Sequence, residues 1–156
     1  MALSIGDTAP AIALKDATGT LVRLSKFKGQ PVVVYFYPKA DTSGCTTQAC
    51  ALRDAEPELN ALGATVLGIS PDQPAKLAKF IEKYSLNFDL LSDLEHSVAE
   101  AYGVWGEKSL YGRKYMGIVR SAFVVDAKGK LAGAFPKISP KDTVPKVTKI
   151  LESLQD

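Results

Sequence analysis

Histidine and cysteine are scarce in this chain, with one His and two Cys among 156 residues. A tetrahedral zinc site needs four good ligands, and His96 with Cys45 and Cys50 leaves the set incomplete, so no metal is expected. No stretch approaches about 18 uninterrupted apolar residues, which argues against a membrane-spanning helix and against the membrane as a partner. Long basic runs are missing too. Nineteen basic residues face seventeen acidic ones for a formal charge of +2, with no Lys/Arg block able to track a phosphate backbone, so nucleic acid is not an expected partner. The first residues, Met1 to Asp7, lack a basic segment and an apolar core, and the expected location is cytoplasmic. In that reducing compartment, two cysteines are more often catalytic or metal-binding than structural.

The hydrophobic content of 46% with 23% charged residues is ordinary for a globular protein, and 1–156 is expected to form a single domain. Val32 to Tyr37 is a continuous run of β-branched and aromatic residues, the pattern of a strand buried on both faces. Pro38 stops it. Thr42 or Ser43 is then placed to cap a helix whose stripe is Cys45, Ala49, Leu52, Ala55, Leu59 and Leu62. Cys45 falls in the first turn, where unpaired backbone N–H groups and the positive end of the helix dipole favour an anion. Cys50 lies five residues on. In an ideal helix that spacing separates the Cα atoms by about 8.7 Å, whereas a disulfide needs roughly 4.4–6.8 Å. Either the two never pair, or pairing requires the first turns to unwind.

Elsewhere, Ile12–Leu14 and Leu21–Leu24 flank a turn at Gly19 and read as an N-terminal hairpin. Ala64–Ile69 reads as a second buried strand, Pro74–Tyr84 as a helix, Asn87–Leu91 as a short strand and Ser97–Tyr102 as a short helix, with His96 a polar residue at its start. Pro57 falls inside the cysteine helix, where it threatens a kink or a break, so two helical pieces are as much expected as one. Val104–Met116 shows neither period and reads as a long surface loop. Ser121–Val125 and Leu131–Phe135 flank Asp126-Ala127-Lys128-Gly129 as a hairpin, and Val144–Leu154 closes the chain as an amphipathic helix. This order is an α/β protein with a mixed central sheet, helices on both faces and an N-terminal β-hairpin. The site is expected beyond the carboxyl end of a central strand, where Cys45 lies.

That order, together with Pro38-Lys39-Ala40-Asp41-Thr42-Ser43-Gly44-Cys45, resembles the peroxiredoxins, thioredoxin-fold thiol peroxidases with the signature Pro-x-x-x-Thr-x-x-Cys. The Cys-x4-Cys spacing of Cys45 and Cys50, Gly103-Val104-Trp105-Gly106-Glu107-Lys108 and Arg120 to Asp126 are similar to the bacterioferritin comigratory protein or peroxiredoxin Q branch. Many members have Thr-Pro-Gly-Cys where this chain has Thr42-Ser43-Gly44-Cys45, so the loop here loses one fixed φ.

The resemblance implies reduction of hydrogen peroxide and organic hydroperoxides with no cofactor. Cys45 is the implied nucleophile, passing through a sulfenic acid. Cys50 is the implied resolving thiol, forming a transient disulfide that thioredoxin or a related dithiol protein reduces. Thr42, otherwise an N-cap, would hold the peroxide through its hydroxyl. Pro38 would shield the thiolate. Arg120, a charge at the opening of an apolar strand, would stabilise the thiolate and orient the peroxide. Lys39, Asp41, Arg53 and Arg113 read as surface charges, and Trp105, Tyr111 and Tyr115 as either an apolar rim to the site or a cover for the core. A monomeric or weakly associating protein is expected. A general disulfide oxidoreductase on the same fold calls for the Cys-x-x-Cys this chain lacks. A peroxide-responsive redox sensor or chaperone-like binding module, in which unwinding exposes a partner surface, is the alternative from another class.

Overall fold

The structure, a computed structural model, describes residues 3–155. β1 (Ala13–Asp16) and β2 (Leu21–Arg23) form the N-terminal hairpin, a 3-10 turn follows at Leu24–Phe27, and β3 is Val32–Phe36. Then come α1 (Ser43–Ala61), β4 (Thr65–Ser70), α2 (Pro74–Tyr84), β5 (Asp89–Ser92) and α3 (Ser97–Ala101). β6 (Trp105–Leu110), β7 (Arg113–Ile118), β8 (Ser121–Val125) and β9 (Leu131–Phe135) precede a 3-10 turn at Pro140–Asp142 and α4 (Thr143–Ser153). Seven strands make one sheet in the order β2-β1-β5-β4-β3-β8-β9. β4 runs parallel to both β3 and β5, while β8 is antiparallel to β3, so the sheet is mixed as expected.

β3 lies inside the sheet between β4 and β8, and its side chains alternate between two apolar layers. Val33, Tyr35 and Tyr37 face α1, α2 and α4, packing with Leu52, Leu59, Phe80 and Val147. Val32, Val34 and Phe36 face the other way, toward Ile12, Phe27, Val98 and Tyr102 around α3 and the N-terminal segment. All six are at most 1% exposed. Burying each such side chain contributes about 1.5–3 kcal/mol, which fixes the end of β3 and therefore the loop that follows it.

One expectation, left open at Pro57, is resolved, and another is corrected. α1 runs unbroken through that residue. Proline cannot donate to the carbonyl four residues back, and the Arg53 carbonyl so released accepts instead from Asn87 Nδ2 at 3.1 Å. The stretch 104–116 is no loop: β6 and β7 pair antiparallel from Trp105↔Ile118 to Leu110↔Arg113. Tyr111 and Gly112 turn the hairpin with φ of 50° and 78°, the pair of positive values that a two-residue type I′ turn requires. Tyr111 stands 96% exposed at its tip, while Trp105 packs on the core and stacks on His96 with ring centroids 3.8 Å apart. His96 does begin α3, paired through Nδ1 with Glu100 at 3.0 Å.

Candidate active site

Tyr37 prolongs β3 by donating its N–H to the Ile69 carbonyl at 3.1 Å, and half-buried Pro38 then ends the pairing. The loop that follows is tied down at each step. Ala40 N–H donates to buried Asp72 Oδ2 at 2.7 Å, and the Thr42 hydroxyl donates to the Lys39 carbonyl at 2.8 Å. Thr42 occupies the N-cap position, where its carbonyl accepts from Thr46 N–H at 2.8 Å, but its side chain makes no capping bond. The expected cap is therefore only a backbone one. With its proton committed to Lys39, the Thr42 oxygen keeps lone pairs that can accept from a peroxide O–H. Ser43 is the first helical residue, a place where proline also fits because its N–H would have no helical partner, so serine here forfeits rigidity and no hydrogen bond.

Cys45 sits in the first turn of α1 and is 1% exposed. Arg120 Nη2 donates to its sulfur at 3.3 Å. The opposite side of the guanidinium, Nη1, donates to Gln48 Oε1 at 2.8 Å. Gln48 Nε2 donates in turn to Thr143 Oγ1 at 2.9 Å, and the Thr143 hydroxyl to the Ser139 carbonyl at 3.0 Å. Gln48 and Thr143 are both fully buried, so this chain of bonds locks the rotamer of Arg120 without solvent competition. Gly44 leaves room beside it: a Cβ there would lie 3.1 Å from Arg120 Nη2, tight enough to press on the guanidinium.

Two more side chains set the electrostatics. Lys108 on β6 donates through Nζ to the Ile118 carbonyl at 2.9 Å, two residues before Arg120. Burial, and then the Arg120 charge, hold its ammonium below the ordinary lysine range, with Cys45 acting in the opposite sense. Tyr35 lies below the site with its hydroxyl buried and unpaired among the described residues. Burial first, then Tyr37 and Cys45, push that phenol well above its ordinary range, so it stays neutral.

Cys50 is half-buried and, like Cys45, a free thiol. Both lie inside α1, at a spacing that cannot close a disulfide without unwinding. The structure thus brings Arg120 to Cys45, with Pro38 and Thr42 on the loop entering the same helix, and holds Cys50 apart. Gln48, Thr143, Lys108 and Asp72 were not anticipated. Gln48 alone carried a sequence signal, being a polar residue three positions after Cys45 on the buried stripe. Among the described residues no three His, Cys, Asp or Glu side chains gather as a metal set, and no helix is long and apolar enough to cross a membrane.

Comparison with known proteins agrees with this geometry. Residues 5–134 match the model of the AhpC/TSA family. The chain is 56% identical over 133 residues to peroxiredoxin Bcp of Escherichia coli, covering 85% of each chain. It is 44% identical over 156 residues to peroxiredoxin Bcp of Bacillus subtilis, covering 100% of this chain and 99% of that one. Among solved structures, peroxidoxin BcpB from Mycobacterium tuberculosis superposes with a TM-score of 0.88 at 36% identity over 99% of both chains. A bacterioferritin comigratory protein from Xanthomonas campestris, studied for alkyl peroxide reduction through trapped intermediate and ligand complexes, gives a TM-score of 0.86 at 32% identity, covering 91% of this chain and 90% of that one. A chain with this site, this fold and these relatives belongs to the AhpC/TSA family, on its Bcp/peroxiredoxin Q branch.

Proposed function

We propose that this protein is a two-cysteine thiol peroxidase acting on hydrogen peroxide and on organic hydroperoxides, with Cys45 as nucleophile and Cys50 as resolving thiol. The observation that carries the reading is the Arg120 guanidinium, 3.3 Å from a buried sulfur at the start of α1. In the first step the Cys45 thiolate attacks one peroxide oxygen. An S–O bond forms, the O–O bond breaks, and the leaving oxygen departs as water or an alcohol after taking a proton. Arg120 and the backbone N–H groups of the first helical turn offset the charge moving from sulfur to oxygen. Thr42 accepts from the peroxide and Pro38 keeps water from the thiolate. Gln48 and Thr143 act through Arg120 as positioning residues.

The sulfenic acid at Cys45 then condenses with the Cys50 thiol, releasing water and forming the disulfide. A dithiol protein, thioredoxin or a relative, returns both sulfurs to thiols by exchange. This cycle runs in a monomer and in the cytoplasm, where such a reductant is present. Consumption of hydrogen peroxide with thioredoxin, thioredoxin reductase and NADPH tests it. Turnover lost in Cys45→Ser and crippled in Cys50→Ser is expected. Full turnover of Cys50→Ser would remove Cys50 from the resolving role.

A further inference from the structure

The disulfide step of the cycle proposed above requires a segment of α1 to unwind, and hydrogen bonds mark where that segment begins and ends. Before the helix, Asp41 has φ of 63°, the left-handed region that a non-glycine residue enters at a cost unless it is held there. The last turn of α2 holds it: Lys83 Nζ donates to Asp41 Oδ2 at 2.9 Å and the Tyr84 hydroxyl to Asp41 Oδ1 at 2.7 Å. The same turn also reaches the middle of α1. Arg53 Nη1 donates to the Tyr84 carbonyl at 2.7 Å, and Asn87 supplies the Arg53 carbonyl with its donor. Residues 83–87 therefore grip the chain on both sides of 42–52, the stretch that contains Thr42, Cys45, Gln48 and Cys50. Their own position is fixed, because the Tyr84 ring packs edge-on against Phe80, with centroids 5.5 Å apart, and Phe80 is core.

We infer that Asp41, Lys83 and Tyr84 form a clasp that confines unwinding to residues 42–51 and sets how often that segment opens, Asp41 and Tyr84 being positioning residues for the resolving step. The chemical half of this inference rests on the peroxidase reading. While the segment is folded, a sulfenic acid at Cys45 stays in the site, out of reach of Cys50. A second peroxide can then oxidise it to the sulfinic acid, adding one oxygen to sulfur and releasing another water or alcohol. Each opening lets Cys50 condense first. The clasp thus divides the sulfenic acid between turnover and inactivation.

Two conservative variants test it. Asp41→Asn removes the charge but keeps a residue type that tolerates the left-handed region, and Tyr84→Phe removes the hydroxyl but keeps the ring on Phe80. In the reduced protein, without peroxide, amide hydrogen exchange over 42–51 is expected to quicken about two- to fivefold in each variant, the scale of an exposed charge-assisted contact, with residues from Leu52 onward unchanged. Under graded hydrogen peroxide, mass spectrometry is expected to show the disulfide-to-sulfinic ratio rising by a similar factor. Unchanged exchange in both variants would overturn the clasp. Quickening spread evenly over the chain would overturn it too, because it marks a general loss of stability. Faster local exchange with an unchanged product ratio would remove its role in the resolving step. A wild type that forms no sulfenic acid and no disulfide would sink the peroxidase reading, while the exchange data would still decide the mechanical half.

Discussion

α1 is held differently at its two ends. Its first two turns bury only the small side chains of Cys45 and Ala49 in the core and are otherwise fastened by polar bonds, Cys45 and Gln48 to Arg120 and Gln48 to Thr143, whereas its later turns are fastened by the large side chains of Leu52 and Leu59, both fully buried in the core. Polar bonds can be exchanged for bonds to water once the segment opens, which returns much of their energy. Buried leucines have no such substitute, and exposing one costs about 1.5–3 kcal/mol. The helix is therefore built to open from its start and to stay closed from Leu52 onward. Pro57 does not reverse this gradient, because Asn87 takes up the carbonyl that proline leaves free.

The contrast can be broken most completely at the sulfur. Cys45→Ser keeps the shape of the site and removes the nucleophile, so peroxide consumption should fall to the uncatalysed background in the coupled NADPH assay, with thermal unfolding little changed. Cys50→Ser comes next. One equivalent of peroxide should still yield sulfenic acid, detectable by dimedone adduct mass, while steady turnover with thioredoxin drops by more than about tenfold.

The two ends should then separate cleanly under paired substitutions. Leu59→Ala is expected to lower stability by about 2–5 kcal/mol in urea unfolding, yet to leave the peroxide reaction of the folded fraction unaltered. Gln48→Leu is expected to do the reverse. It keeps the buried volume but frees Arg120 from its partner, so the second-order rate with peroxide should fall about tenfold, equivalent to about 1.4 kcal/mol of transition-state stabilisation. A loss of peroxide rate in Leu59→Ala equal to that in Gln48→Leu would erase the distinction.

The smallest effect expected is with pH. Hydrogen bonds from Lys83 and then Tyr84 hold the Asp41 carboxyl below its ordinary range. A depressed carboxyl contributes stability that is complete above its unfolded value and lost as pH falls through the folded one. The protection factor over 42–51 in the wild type, which removes the intrinsic pH dependence of amide exchange, should therefore stay flat from about pH 5 to 9 and approach that of Asp41→Asn only below about pH 4.

What the sequence revealed and what it hid follow the same physical division. The central strands, α2 and the hairpin around Asp126 to Gly129 were legible because their side chains are buried on a regular period or turn on residues suited to it. β6 and β7 were not, since residues 111–116 are exposed on both faces and no alternation is imposed on them. In the site, Cys45 and Arg120 stood out as a thiol at a helix start and a charge at the opening of an apolar strand. Gln48 showed only as a polar residue on the buried stripe and Thr143 not at all, because the hydrogen bond between α1 and α4 joins residues 95 apart, and nothing local records the pairing. Asp41 and Arg53 read as solvent charges for the same reason: their partners on α2 and in the segment after it are brought in by the fold alone.

Amide exchange across α1 after stoichiometric hydrogen peroxide, read together with the mass of the intact chain, tests the gradient most directly. Loss of two hydrogens as an intramolecular Cys45–Cys50 disulfide, with protection lost over 43–51 and kept from Leu52 onward, is the expected result. A disulfide formed with the first turns still protected, or a collapse of protection along the whole helix, would contradict it.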